Sequence, residues 1–488
     1  MLTESEIKRF IDDDISSERK RLAAVGMRYY EAEHDILQSR LFYYNADGKL
    51  VEDTTRSNIK ICHPFFTELA DQLSAFMLSF DDNPIRAKES LPELQEQIDL
   101  YFDDEFWAEV EELITGAYAK GFDYVYAYKN AENRLSFQHA DSMGVVEVRE
   151  QDTDDGCKYV IYWYVDRIEK GKKEVRRIQV WSETETTYFV QVGGGKVMPD
   201  DSVSVNPRPH VVYKGKDGKR MGYPLGYIPF WRLDNCKKRF SGLKPIKGLI
   251  DDYDIHACSL SNNLADFDTP LHIVKGFHGT DLSELQTNLK TKKIVGVDAD
   301  GGVDIATVDI PYQARKEKLE IDEKNIYRFG MGVSTNALKD TSATTNIAIK
   351  AAYSLLEMKA NKMEQRLRRL LKDLLKVVLA EINAAQKTDY QISDIYFDFQ
   401  RNIMANESEN ANNEKTRAET KQIEVNTILN IAANVGDEKT LQALCEVMEW
   451  DFDEIQNALN KQAEEGLEGA QGALDAVVPE DEPVFPAE

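Results

Sequence analysis

The sequence predicts an α+β fold, mainly helical, and three observations carry the prediction. Apolar residues step by three and four over two long stretches, 246–267 and 349–377, which is helical spacing. Between about 121 and 233 the pattern changes to alternation and to short runs of β-branched and aromatic residues. The chain has 488 residues, 42% hydrophobic and 30% charged, enough to bury a sizeable core in about two to four domains.

Taken in order, Thr3 and Glu6 have capping-box spacing, and a helical pattern runs on toward Tyr30. The stretch YYNADGKLVED (Tyr43–Asp53) reads as a hairpin or turn about Asp47-Gly48. Phe65, Leu69, Leu73, Phe76 and Phe80 share one helical face, and another helix is predicted from about Pro92 to Tyr118. Tyr124, Tyr126 and Tyr128 then line one face of a strand, and a polar turn leads to a second strand about Leu135–Phe137. KYVIYWYV, RRIQVW, TTYFVQV and HVVYK extend this β-rich region to about 233.

Helix returns after Pro245, which suits a first helical position, and stops at Thr269-Pro270. Within it Ile246, Ile250, Tyr253, Ala257, Leu260, Leu264 and Phe267 form a packing seam at alternating steps of four and three. A short α/β segment spans about 271–310. Its DADGG (Asp298–Gly302) faintly resembles a calcium loop, but no Glu stands at the twelfth place, and it reads as a turn between strands. A charged helix covers about 312–329. A small, hydroxyl-rich stretch follows, and then a long helix to about Asn383, roughly 60 Å at 1.5 Å per residue. ISDIYFDF reads as a strand. Acidic helices run to about 465, and the acidic Gly- and Pro-containing end is expected to be disordered.

The sequence argues against an enzyme and implies no cofactor. It lacks GxxxxGK[ST], HExxH, GxSxG and a GxGxxG after a strand. Seven histidines are dispersed, and the Cys62-His63 and His256/Cys258 pairs fall short of four zinc ligands. Carboxylate clusters at Asp12–Asp14, Asp81-Asp82, Asp251-Asp252-Asp254 and Asp298/Asp300 read as solvated faces, with a two-metal nuclease site as the rival. Five scattered cysteines without a CxxC fit reduced thiols in a cytoplasmic setting. No apolar run approaches the roughly 20 residues of a membrane span, and the acidic, amphipathic N-terminus is no signal peptide. The net charge is −26, of which −15 falls between 405 and 488, so the chain lacks the basic footprint of a tight nucleic-acid binder.

Four segments, in order, resemble tailed-phage portal proteins. The first is RYYEAEHDILQSR…NIKICHPFFTELADQLSAFMLSFDDNPI. The second is GFDYVYAYKNAENRLSFQHAD, with Gly121, Tyr126 and Asp141 in the family's places. The third is LGYIPFWRLDNCKKRFSGLKPIKGLIDDYDIHACSLSNNLADF, and the fourth is TNIAIKAAYSLLEMKANKMEQRLRRLLKDLL. Thr345-Asn346 stands where the family has Ser-Gly.

The resemblance implies a portal-type architecture: an α/β wing (1–242), a stem helix (243–268), a small α/β clip (269–311) and a second stem helix (312–332). It places a tunnel loop at 333–345, a long helix with a strand returning to the wing at 346–404, a helical crown at 405–465 and the acidic tail at 466–488. It also implies a homo-oligomeric ring of about a dozen subunits around a channel for double-stranded DNA. Expected partners are a terminase, a head–tail adaptor, and capsid and scaffold proteins. The expected location is the virion vertex, after assembly in the host cytoplasm.

On that scheme Ser334, Asn336, Lys339, Thr341, Ser342 and Thr344 face DNA, offering weak, exchangeable hydrogen bonds and one cation to phosphate. An ordinary surface loop has the same composition. Lys290, Lys292 and Lys293 would make clip contacts or form a solvated cluster, and the 246–267 seam serves neighbouring subunits or the chain's own core equally well. A scaffold or adaptor protein is the alternative reading, and a metal-dependent packaging nuclease a more distant one.

Overall fold

In a computed structural model of the chain, the structure describes residues 2–401 except 55, 151–155, 215–219, 268–270, 278–296, 307–310 and 335–345. Beyond these it describes 415, 420–430, 432, 436–448, 452 and 455–456. Two compact units divide the chain: Met1–Ser342 with Lys350–Ile403, and Ala343–Ile349 with Met404–Glu488.

The first unit begins with α1 (Glu4–Ser16), capped as the sequence predicts. The Thr3 hydroxyl accepts from Glu6 N–H at 3.3 Å, and the Glu6 carboxylate accepts from Thr3 N–H at 2.9 Å. The helical pattern then breaks where one continuous helix was expected. Ser17 adopts an extended conformation and its hydroxyl caps α2 (Glu18–Tyr30) by accepting from Lys20 N–H at 3.2 Å. The predicted hairpin forms from β1 (Phe42–Tyr44) and β2 (Leu50–Glu52). α3 (Phe65–Met77) and β3 (Ile85–Ala87) follow.

The helix expected from Pro92 to Tyr118 is likewise two helices, α4 (Pro92–Tyr101) and α5 (Asp104–Lys120). Phe102 closes the first, and Asp103 caps the second, accepting from Phe106 N–H at 3.0 Å. α5 stops at Gly121, whose φ of +97° is left-handed; a Cβ there would lie 2.3 Å from the Arg239 carbonyl oxygen. Both the backbone and the space demand glycine.

The β-rich region holds β4 (Phe122–Lys129), β5 (Leu135–Ala140), β6 (Val145–Val148), β7 (Tyr159–Glu169), β8 (Lys173–Trp181) and β9 (Glu185–Val192). The shorter β10 (Val197–Pro199), β11 (Arg208–Pro209), β12 (Val211–Lys214), β13 (Arg220–Tyr223) and β14 (Phe230–Asp234) follow. One antiparallel sheet runs β10-β9-β8-β7-β6 with β11 on β9; another runs β14-β4-β5, with Trp231 opposite Val125 and Tyr124 opposite Ala140.

Next come α6 (Lys247–Phe267), the hairpin of β15 (Leu271–Phe277) and β16 (Val297–Ala306), and α7 (Tyr312–Gly330). Asp298–Gly302, read from sequence as a turn, lies within β16, at an irregularity in the ladder: Gly302 pairs with Lys275 and Val297 with Phe277, so the strand bulges between them. The long helix is α8 (Asn346–Gln386), and β17 (Ile395–Phe397) returns to pair with β3.

The main core packs α3, α5 and α8 together through Leu69, Leu73, Leu113, Leu367, Leu371 and Leu374, all fully buried. Each contributes roughly 1.5–3 kcal/mol by leaving water. The larger sheet has its own core, where Ile7 and Ile11 of α1 cover Ile161 and Ile178.

In the second unit α9 (Asp437–Met448) buries Cys445, and the Thr440 hydroxyl donates to Gly436 O at 2.9 Å. Among the described residues no helix is long and apolar enough to cross a membrane.

Candidate functional site

The predicted seam divides along α6. Ile246 and Ile250 are fully buried in the main core, and Tyr253 packs edge-on against Phe65 at 4.9 Å. Ala257 and Leu260 are half-buried, and Leu264 is 52% exposed. Phe267 ends the helix. The intrachain use of the stripe therefore takes its first half, and farther along Leu264 faces solvent.

α7 lies antiparallel to α6. Lys318 bridges Asp252 and Asp322, and farther along α6 the Asn263 amide oxygen accepts from Arg315 Nη2 at 2.7 Å. Exposed on this helix pair are Ile255 and Leu264, nine residues apart and so on opposite sides of α6, with Ile321 (57% exposed) and Phe329 from α7.

A second pattern on α6, absent from the sequence reading, straps the extended segment 57–63 to the helix. The Asp254 carboxylate accepts from His63 N–H at 3.0 Å, Cys258 Sγ from Ile61 N–H at 3.2 Å, Asn262 Oδ1 from Ile59 N–H at 2.6 Å and Asp266 Oδ1 from Ser57 N–H at 3.1 Å. Helical residues four apart rise about 6.0 Å, and extended residues two apart about 6.6 Å, so the two periods nearly match. Four polar or thiol groups at i, i+4, i+8 and i+12 were the available signal.

Asp254 also joins two histidines. It lies 2.6 Å from His34 Nδ1 and 2.8 Å from His63 Nδ1, and it is fully buried. Burial works against its charge, but the hydrogen bonds from His34 and His63 outweigh it and hold the carboxyl below its ordinary range. Tyr29 stacks on His34 at 4.5 Å.

The residues just before the hydroxyl-rich stretch, at the end of α7, are clamped. Gln72 of α3 exchanges two hydrogen bonds with Val333: Val333 N–H donates to Gln72 Oε1 at 2.9 Å, and Gln72 Nε2 donates to Val333 O at 2.9 Å. Gly330 and Gly332 press on Leu69, where a Cβ would come within 2.5 and 2.1 Å. Lys359 of α8 closes the arrangement, its Nζ donating to Gly330 O at 3.1 Å, Leu69 O at 3.1 Å and the Tyr118 hydroxyl at 3.2 Å. Its ammonium is enclosed by neutral acceptors, and burial pushes its pKa down to about 7.

Of the loop residues singled out from sequence, Ser334 follows this clamp directly. Asn336, Lys339, Thr341, Ser342 and Thr344 lie outside the described residues, as do Lys290, Lys292, Lys293 and the tail 466–488. The carboxylates at 251, 252 and 254 do not converge. Asp251 meets Tyr29 and Lys247, Asp252 meets Lys318, and Asp254 meets the two histidines. Among the described residues no group of three or more His, Cys, Asp or Glu side chains could hold a metal ion.

The sequence profile of the family described as "Phage portal protein, SPP1 Gp6-like" matches residues 9–466. A protein named "Portal protein" from Bacillus phage SPP1 is 26% identical over 343 residues, 70% of this chain and 66% of that protein's length. A "Portal protein" from Clostridium phage phiCD119 is 23% identical over 429 residues, 83% of this chain and 88% of the other.

Proposed function

The chain belongs to the SPP1 Gp6-like phage portal protein family, a structural rather than catalytic one, and from that premise we propose that its copies close into a ring of about a dozen at the capsid vertex. Duplex DNA passes through this ring during packaging and ejection. The observation that carries the reading is the α6–α7 pair. It is tied into the wing by the 57–63 strap and the Val333 clamp, yet it presents Leu264 and Ile321 to solvent on its outer surface. Large apolar residues on both helices of a rigid rod suit side-by-side packing of copies, where head-to-tail contacts close a ring.

On this reading residues 1–242 form the wing, 243–268 and 312–332 the stem, 269–311 the clip and 333–345 the tunnel loop. Residues 346–404 link back to the wing, 405–465 form the crown and 466–488 the acidic tail. Ser334, Asn336, Lys339, Thr341, Ser342 and Thr344 touch DNA through weak contacts, and Lys290, Lys292 and Lys293 meet a docking partner in the clip. A terminase supplies ATP hydrolysis, a head–tail adaptor docks below, and capsid and scaffold proteins surround the wing. The acidic balance of −26 repels phosphate over roughly 8–10 Å in physiological salt and lets the duplex slide.

The test is assembly. Leu264→Asp with Ile321→Asp is expected to abolish rings in negative-stain images and in light scattering, with the thermal midpoint unchanged because both side chains are exposed. Lys170→Ala, in the turn between β7 and β8, leaves ring yield untouched. Equal ring yields from the two variants would remove the helix pair from the interface.

A further inference from the structure

Among the described residues β14 is an edge strand, and its outer edge, where Phe230 N–H already donates to Ile228 O at 2.9 Å, opens into a cavity of about 750 Å³. Ala127 N–H donates to Pro229 O and Asn235 N–H to Gly121 O, each at 2.9 Å. These bonds bracket the ladder, so Trp231 and Leu233 bond to β4, and the backbone groups of Arg232 and Asp234 point the other way. Among the described residues these outward backbone groups have no hydrogen-bond partner. All five residues of β14 line the cavity. Side chains of both parities can do so only if the cavity runs along the strand's edge rather than over one face.

The opposite wall is one face of α8, carrying Arg366, Arg369 and Asp373 at i, i+3 and i+7. Asp373 is paired with Lys376 at 2.6 Å. Arg366 donates to the Asn235 carbonyl at 3.1 Å, and among the described residues neither it, nor Arg369, nor Lys237 at the rim meets a carboxylate. Among the described residues, three cations without a carboxylate partner stand beside one acid without a cation partner, Glu183, a local surplus of positive charge on a strongly acidic chain.

We propose that the β14 edge receives an extended acidic segment of a partner protein as an added strand, with Arg366, Arg369 and Lys237 reading its carboxylates. The exposed edge supplies backbone pairing and the cations supply charge selection, the two components of strand-addition recognition. A nucleic acid would satisfy the cations but not the strand edge. The inference goes beyond the ring reading and holds whether or not copies close into one.

The experiment uses the full chain and a fluorescent peptide of alternating Glu and Val, roughly ten residues long so as to overhang the strand. Size-exclusion of the same sample reports ring state separately. Binding is expected to weaken by at least about tenfold with Arg369→Glu and, independently, with Lys237→Glu, two exposed side chains whose replacement leaves the fold intact. It is also expected to vanish when alternate peptide nitrogens are methylated, since methylation removes the strand donors. Equal binding of the methylated peptide would overturn the added strand. Absence of peptide binding, indifference to both charge reversals, or displacement of the peptide by duplex DNA would each overturn the proposal as stated.

Discussion

Replacing Asp254 by Ala is expected to cost roughly 3–5 kcal/mol, the usual penalty for breaking a buried charged pair by removing one partner. The carboxylate accepts from both His34 and His63 rings and from the His63 backbone, so the truncation strands three groups at once. His34 suffers most, since it is buried and its other ring nitrogen already lacks a partner among the described residues. The damage should spread along the strap. Amide exchange at Ile59, Ile61 and His63 should speed up, because the Asp254 bond holds one end of that ladder.

The pH dependence follows from the depressed carboxyl. A folded pKa below the unfolded value of about 3.9 contributes stability above that pH and loses it as pH falls through the folded value. The gap between wild type and variant should therefore begin to close as pH falls below about 3.9 and go on closing down to the folded value. Urea unfolding at pH 7 and at pH 3 checks this. A loss under about 1 kcal/mol at neutral pH, with the strap amides still protected, would refute the assignment.

Replacing Lys359 by Met has the opposite sign and should stabilise the chain by about 1–3 kcal/mol at pH 6, because removing an enclosed, unpaired ammonium outweighs the donor lost by Gly330 O, Leu69 O and the Tyr118 hydroxyl. The lysine's folded pKa of about 7 lies below its unfolded value of about 10.4. Between those values the unfolded state holds a proton that the folded state does not, so wild-type stability rises with pH across this window. The advantage of Met is thus greatest below pH 7 and shrinks toward pH 10. An equal difference at pH 6 and pH 9.5 would show that Lys359 does not titrate there. The gain in stability should come with a looser loop root, read as faster exchange at Gly332 and Val333, since Gly330 O loses its tether.

The helices and strands were legible wherever the signal is local. The steps of three and four in 246–267 and 349–377, the Thr3–Glu6 box and the Tyr124–Tyr128 alternation each reflect the geometry of a single element. The breaks at Ser17 and Asp103 were not seen, although both are common capping residues, because apolar periodicity continues on either side. The carboxylates at 251, 252 and 254 read as one cluster, but neighbouring residues on a helix turn by about 100° and look in different directions. The strap and the loop clamp depend on pairs such as Asn262 with Ile59 and Gln72 with Val333, about two hundred residues or more apart, and no single stretch of sequence encodes such a meeting.

By itself the sequence determined most of the helical and strand segments, the acidic balance, the family likeness and the stripe on α6, because periodicity and composition act along the chain. Tertiary structure alone decided how that stripe is shared. Its first half is buried in the chain's own core and its far half stays exposed at Leu264, since burial depends on what folds back against a helix. The same holds for Lys359: nothing in its neighbours along the chain marks it, and only the meeting of α3, α5, α7 and α8 encloses its charge at the end of α7.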